Sequence, residues 1–299
     1  MKVRSMLLAI AVFALSSAGT PTLASTSDML VSTSWLKEHL TDPKLVIFHT
    51  GPKAEFDAGH VPGAQLVSGQ DLSIPRAENA LILELLPEAP LRQKLESLGI
   101  SDDSRVVIVF GKDAAAQAAR VYFSLDAAGL GGRASLLDGG AAAWTAGGGA
   151  LTDDVKTLPT GKITASPRRD ILVDLKEIQS HLKQPGPPIV DARTADIYSG
   201  DNRGPTPRAG HIPGAINVPS TSLLTADGML KSEGDLAAIF KRTGVGEDGS
   251  LVTYCHSGQL ASLVYFAAKR VGLKPRLYDG SWDEWSRKEE LPVETTPLK

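Results

Sequence analysis

An α/β protein of two tandem domains, each a mostly parallel sheet flanked by helices, is the fold this 299-residue chain predicts. The first observation is an internal repeat. Gly59-His60-Val61-Pro62-Gly63-Ala64 returns as Gly210-His211-Ile212-Pro213-Gly214-Ala215, and Asp138-Gly139-Gly140 with Trp144 returns as Asp279-Gly280-Ser281 with Trp285. A long, near-constant offset between matching segments marks a duplicated domain rather than a solenoid of short units. The second is alternation: apolar runs of strand length alternate with segments of helical spacing, the pattern of parallel sheets with helical crossovers. The third is length, which is enough for two ordinary domains.

The elements follow in order. Lys2 and Arg4 precede an apolar run from Met6 to Leu15, and Thr22-Leu23-Ala24 forms a small-residue cleavage signal. Residues 1–24 are therefore expected to be a secretory signal peptide, since the apolar run is too short to span a bilayer. An export signal of this design points to a periplasmic location. The first domain is expected over residues 28–146, opening with Met29-Leu30-Val31 and carrying a strand at Arg105 to Phe110 and a helix at Ala114 to Leu125. Residues 147–169, rich in Gly, Thr, Pro and charge, read as a linker. The second domain, 170–299, opens with Ile171-Leu172-Val173. It predicts strands at Pro188 to Asp191, Leu251 to Tyr254 and Arg276 to Tyr278, and a helix from Ser262 to Val271 stopped by Gly272.

Charge and composition narrow the function. Without Lys2 and Arg4 the chain has 29 basic against 34 acidic side chains, a net charge of −5. With no basic run and 5% aromatic residues, nucleic acid is not an expected partner. No segment after the signal is long and apolar enough to cross a membrane, so no membrane association is expected once the signal is cut. The six histidines and one cysteine show no metal-ligand spacing, and neither a metal nor an organic cofactor is expected. His60 and His211 each sit in an X-Pro-Gly turn before an apolar strand and read as histidines bonded to loop backbone. Trp282 and Trp285 read as core, with Trp282 also able to border a cleft.

Cys255 is the only cysteine, so it cannot be half of an intrachain disulfide, the usual role of cysteine in an exported protein. An inert buried thiol is the bland alternative. Cys255 stands at the C-terminal end of a strand, the edge of an α/β sheet where ligands bind. A loop of His256, Ser257, Gly258, Gln259 and Leu260 leads from it into a helix. Gly258 permits the turn, and converging N–H groups with the helix N-terminus form an anion cradle expected to favour the thiolate. Nucleophilic chemistry is the expectation.

The paired Gly-His-[Val/Ile]-Pro-Gly-Ala motifs, the paired Asp-Gly…Trp motifs and Cys255 heading its loop resemble the two-domain rhodanese-like sulfurtransferases, of the thiosulfate or 3-mercaptopyruvate type. The likeness runs from about Asp28 to Trp285. It implies a cysteine that takes sulfane sulfur from a small donor, holds it as a persulfide and passes it to a thiophilic acceptor such as cyanide or a thiol, a protein thiol included. The first domain carries Gly111 where the nucleophile falls, and Ile47 and His49 in place of Asp191 and Arg193. It is expected to lack the chemistry and to form one wall of the cleft. Asp191 and Arg193 are expected to organise the loops around the site.

The loop departs from the family's two donor patterns. His256-Ser257 is neither a basic pair nor an uncharged segment ending in a small hydroxyl residue, because the loop ends in Leu260. Ile197 stands where an arginine is common before the aromatic Tyr198. Positive charge for an anionic donor would then come from His256, Arg203 or Arg208, and His256 could as readily face solvent. A phosphatase of related fold needs an arginine six residues after the cysteine, where this chain has Ala261. A non-enzymatic periplasmic persulfide carrier or sensor serving one protein partner would need the same Cys255 and the same cradle, and it stands as the alternative.

Overall fold

The computed structural model describes residues 29–77, 80–184 and 186–296. The expected signal peptide lies outside the described residues. The first half runs β1 (Leu30–Val31), α1 (Thr33–His39), β2 (Leu45–Thr50), α2 (Lys53–Ala58), β3 (Ala64–Leu66), α3 (Glu88–Ser97), β4 (Arg105–Phe110), α4 (Ala115–Ala127), β5 (Ala134–Leu137) and α5 (Gly140–Ala146). The second half repeats it with β6 (Leu172–Val173), α6 (Leu175–His181), β7 (Ile189–Asp191), α7 (Ala195–Ser199), β8 (Ile216–Asn217), α8 (Glu233–Lys241), β9 (Ser250–Tyr254), α9 (Gln259–Arg270), β10 (Lys274–Tyr278) and α10 (Ser281–Ser286).

Each half forms a five-stranded sheet, in the orders β1-β5-β4-β2-β3 and β6-β10-β9-β7-β8, and every strand pair within them is parallel. The central strands read as continuous apolar runs because helices cover both faces. Val106 to Val109 and Leu251 to Val252 are at most 1% exposed.

The repeated histidine motif has a structural cause. Gly59 and Gly210 take φ of 153° and 100°, and Gly63 and Gly214 take 82° and 76°, conformations that glycine tolerates best. Between them the ring of His60 stacks on Phe56 and that of His211 on Tyr198, each at 3.7 Å. His60 Nδ1 donates to the Phe56 carbonyl at 2.9 Å, and His211 Nδ1 to that of Tyr198 at 2.7 Å. Both histidines therefore serve the turn, as the sequence predicts.

The two halves share one interior. Helices α4 and α9 pack across the domain boundary, with Tyr122 meeting Phe266 edge-on at 4.8 Å and Phe123 meeting Tyr265 at 5.0 Å. A continuous set of buried apolar side chains from both halves surrounds these pairs. Between α5 and β6 the chain lies along the first half, with Gly161 donating to Glu96 O at 2.8 Å and Arg168 N to Ala127 O at 2.8 Å.

Candidate active site

Strand β9 delivers Cys255 to the C-terminal edge of the second sheet, and Gly258, at φ 82°, turns the chain straight into α9. The helix begins at Gln259, three residues earlier than the apolar spacing from Ser262 predicts. Polar Gln259 and the small Ala261 mask its first turn in the sequence. The consequence is chemical: the groups facing Cys255 are the unpaired N–H donors of a helix N-terminus. Backbone N–H groups of Ala261, Ser257 and Leu260 act on the sulfur, each favouring its ionised form. The loop read from sequence ended at Leu260, one residue short of this set.

Cys255 is 1% exposed. Burial pushes its thiol above the ordinary value, and the three amides oppose that shift without reversing it. The expected preference for thiolate is therefore corrected: in the resting protein, desolvation outweighs the amide cradle. The Cys255 backbone is fixed from behind, with its N–H donating to Ser281 Oγ at 3.3 Å and its carbonyl accepting from Trp282 N at 3.0 Å. Ser281 Oγ in turn donates to Tyr278 O at 2.9 Å.

Asp191 and Arg193 organise the neighbouring loops. Arg193 Nε and Nη2 donate to the Asp191 carboxylate at 3.0 and 2.5 Å, and Nη2 also reaches Gly210 O at 2.8 Å. The guanidinium lies over the Trp282 ring at 4.7 Å. Trp282 and Trp285 are fully buried in the core of this half.

His256 is half-buried, and burial holds its imidazole below the ordinary value; nearby Asp283 opposes that shift while Arg193 and Arg287 add to it. It is neutral at pH 7. Ser257 is buried, while Gln259 and Leu260 are partly exposed.

The two arginines expected to meet a donor anion lie elsewhere. Arg208 donates to the carbonyls of Ser286, Leu291, Trp285 and Lys288 at 3.1, 2.6, 2.9 and 2.7 Å. Those bonds hold the C-terminal end of α10, where carbonyls lack intrahelical partners, so the donor-binding reading of Arg208 is replaced by a structural one. Arg203 is exposed, with Nη1 3.5 Å from Pro207 O, and nothing ties it to the Cys255 loop.

Three other arginines do surround the loop, and each is matched by an aspartate. Arg193 pairs with Asp191, Arg287 with Asp283 at 2.8 Å, and Arg120 of α4 with Asp279 at 2.6 Å. Sequence reasoning missed Asp279, Ser281 and Asp283 as parts of the site, although they sit in the repeated Asp-Gly…Trp motif. Arg120 left one faint signal, the single basic residue in a helix of mostly apolar and small residues.

The first half carries Gly111 at the position that matches Cys255. At Gly111, a side chain would collide with the Glu55 carboxylate, which accepts from Lys112 N at 3.3 Å. A fixed carboxylate thus fills the space that a nucleophile's side chain would need. Between the halves, a cavity of about 780 Å³ is walled by Gly111 and Lys112 on one side and by Ser220, Thr221, Leu224 and Leu260 on the other. A second cavity, of about 830 Å³, lies under the linker and touches Asp279 but none of the residues from Cys255 to Leu260. Among the described residues no group of His, Cys, Asp and Glu could hold a metal ion, and no helix is long and apolar enough to cross a membrane.

Known proteins resemble this chain in sequence and fold. The rhodanese-like domain family matches the chain twice, at residues 32–147 and 174–288, so the chain belongs to the rhodanese-like proteins in their tandem form. It is 34% identical over 284 residues to a probable 3-mercaptopyruvate sulfurtransferase of Pseudomonas aeruginosa, covering 90% of this chain and 99% of that one. It is 32% identical over 287 residues to the thiosulfate sulfurtransferase of Rattus norvegicus, covering 89% and 94%, and 31% identical over 283 residues to a sulfur carrier protein of Thermus thermophilus, covering 89% and 96%. Among solved structures, the anaerobic ergothioneine biosynthesis enzyme of Chlorobium limicola superposes with a TM-score of 0.80 at 25% identity, over 91% of this chain and 71% of that one. The protein is an enzyme of the sulfurtransferase class.

Proposed function

We propose that the protein moves sulfane sulfur through a persulfide on Cys255, with 3-mercaptopyruvate preferred over thiosulfate as donor. The observation that carries the proposal is Cys255 seated among the N–H groups of Ser257, Leu260 and Ala261 at the N-terminus of α9. The Cys255 thiolate attacks the donor sulfur, forming an S–S bond. The donor's bond to that sulfur breaks, and its electron pair leaves on pyruvate, as the enolate that then takes a proton, or on sulfite. The terminal persulfide sulfur carries the negative charge that the three N–H groups are placed to stabilise. An acceptor such as cyanide then attacks that sulfur, leaves as thiocyanate and restores the Cys255 thiolate.

The donor preference rests on charge. Arg120, Arg193 and Arg287 are each paired with an aspartate, Arg208 is committed to α10, and His256 is neutral. A site whose surrounding arginines are each matched by an aspartate suits a singly charged donor better than a dianion. Residues 1–24, with their basic start and apolar centre, support a periplasmic setting.

The test is the intact mass of the purified protein after exposure to each donor, beside Cys255→Ser. The expected result is a gain of one sulfur atom in the native chain only, faster from 3-mercaptopyruvate and removed by cyanide as thiocyanate. Faster loading from thiosulfate would overturn the donor preference, and no loading from either would overturn the proposal. A second reading, a carrier serving one protein partner, is favoured by the burial of Cys255 and by the likeness to the Thermus sulfur carrier protein. Loading without multiple turnover on cyanide or small thiols would favour that reading.

A further inference from the structure

Arg120 is fully buried, yet it belongs to the half that has no nucleophile. Its side chain runs from α4 across the domain boundary between two glycines. On one side, a Cβ at Gly69 would lie 3.0 Å from its Cγ; on the other, a Cβ at Gly258 would lie 2.8 Å from its Nη1 and 3.2 Å from Asp279 Oδ1. Nη1 donates to Asp279 Oδ1 at 2.6 Å and Nη2 to the carbonyl of Leu83. Asp279 Oδ2 accepts from Leu85 N at 2.8 Å. One ion pair thus joins α4, the 83–85 segment and the end of β10, directly against Gly258 of the Cys255 loop.

Stability alone does not call for such a pair. Removing two charges from water costs several kcal/mol each, and an apolar pair of the same volume often holds an interface as well. The asymmetry of the repeat also argues for a local purpose. Since Gly111 corresponds to Cys255, the counterpart of Arg120 on α9 is Val264, so no arginine occupies the matching place beneath the Gly111 loop. The tie occurs only beneath the loop that carries the cysteine.

We infer that Arg120 is a positioning residue of the sulfur-transfer site: through its pair with Asp279 it fixes Gly258 from across the domain boundary and so aims the N–H groups of Ser257, Leu260 and Ala261 at the Cys255 sulfur. The first half therefore contributes to catalysis as well as to the wall between domains. The inference rests on the proposal that Cys255 carries sulfur. Arg120 does not touch the reacting atoms; it acts on the donors that do. Because Asp279 balances its charge, its effect is geometric, and amides displaced by even a fraction of an ångström lose much of their hold on a developing anion.

The experiment uses the full-length mature protein as native chain, Arg120→Lys, Arg120→Met and the double change Arg120→Met with Asp279→Asn, which leaves no unpaired charge at the boundary. Three readings are taken: the rate of single-turnover sulfur loading, the pH profile of Cys255 alkylation, and thermal stability. The expected result is a loading rate lower by on the order of ten- to a hundredfold in Arg120→Met, with its alkylation profile moved to higher pH and partial recovery in Arg120→Lys. The double change is expected to stay folded near the native melting temperature while still loading slowly. It decides the matter if the single change does not fold. A native rate and pH profile in folded Arg120→Met or in the folded double change would overturn the inference, whatever the melting temperature, and leave Arg120 as interface packing. Failure of the native chain itself to load would instead overturn the Cys255 proposal.

Discussion

Cys255 sets the pH dependence expected of the site. Burial raises its thiol above the ordinary value despite three amide donors, so the thiolate fraction is small at pH 7. The rate of iodoacetamide alkylation is expected to climb about tenfold per pH unit from pH 7 to pH 8.5, and a plateau below pH 8 would show that the amides win. The same shift predicts that stability falls as pH rises past about 8.5, where the unfolded thiol releases a proton that the native one retains. Gly258 is the second sensitive residue. Its φ of 82° and the Arg120 guanidinium beside it leave no room for a methyl group, so Gly258→Ala is expected to cost about 1–3 kcal/mol. Loading should slow with it, as thermal melts and single-turnover assays would record.

At the scale of elements, α10 depends on Arg208. Four of the five N–H donors an arginine carries end on carbonyls at and beyond its C-terminal end. Arg208→Met is expected to lower stability by about 1–3 kcal/mol and leave the donor KM unchanged; a higher KM at native stability would restore the donor-binding reading. The sequence showed a basic residue in the loop before Gly210 and a missing arginine at Ile197, which made Arg208 attractive. Its partners lie some eighty positions downstream, and nothing in the spacing reports them. Asp191 and Arg193 were legible because the pair is local, two residues apart, and its geometry follows from the strand end. Asp191→Asn would leave the Arg193 charge buried without its counter-ion, and a loss of about 3–5 kcal/mol is expected, measurable by denaturant unfolding.

At the scale of the molecule, the two halves behave as one body because α4 and α9 bury their apolar faces in each other. Tyr265 OH donates to Asp126 at 2.7 Å, and Arg168 and Lys269 reach the same carboxylate. A single calorimetric unfolding transition is expected, and two resolved transitions would show that the halves unfold independently.

Much of this was readable before folding. The repeat reported two copies of one sheet because turns built on positive-φ glycines leave a fixed residue pattern. The single cysteine and the glycine three residues after it marked the candidate site, since both features are local. Tertiary structure alone decided the rest: the thiol's raised pKa comes from burial by distant segments. Arg208 turned from the site to a helix end, and Arg120 came to rest against Gly258 from 138 positions away. Local rules fix φ angles and strand periods, whereas the partner of a buried charge is chosen only when two surfaces close on it.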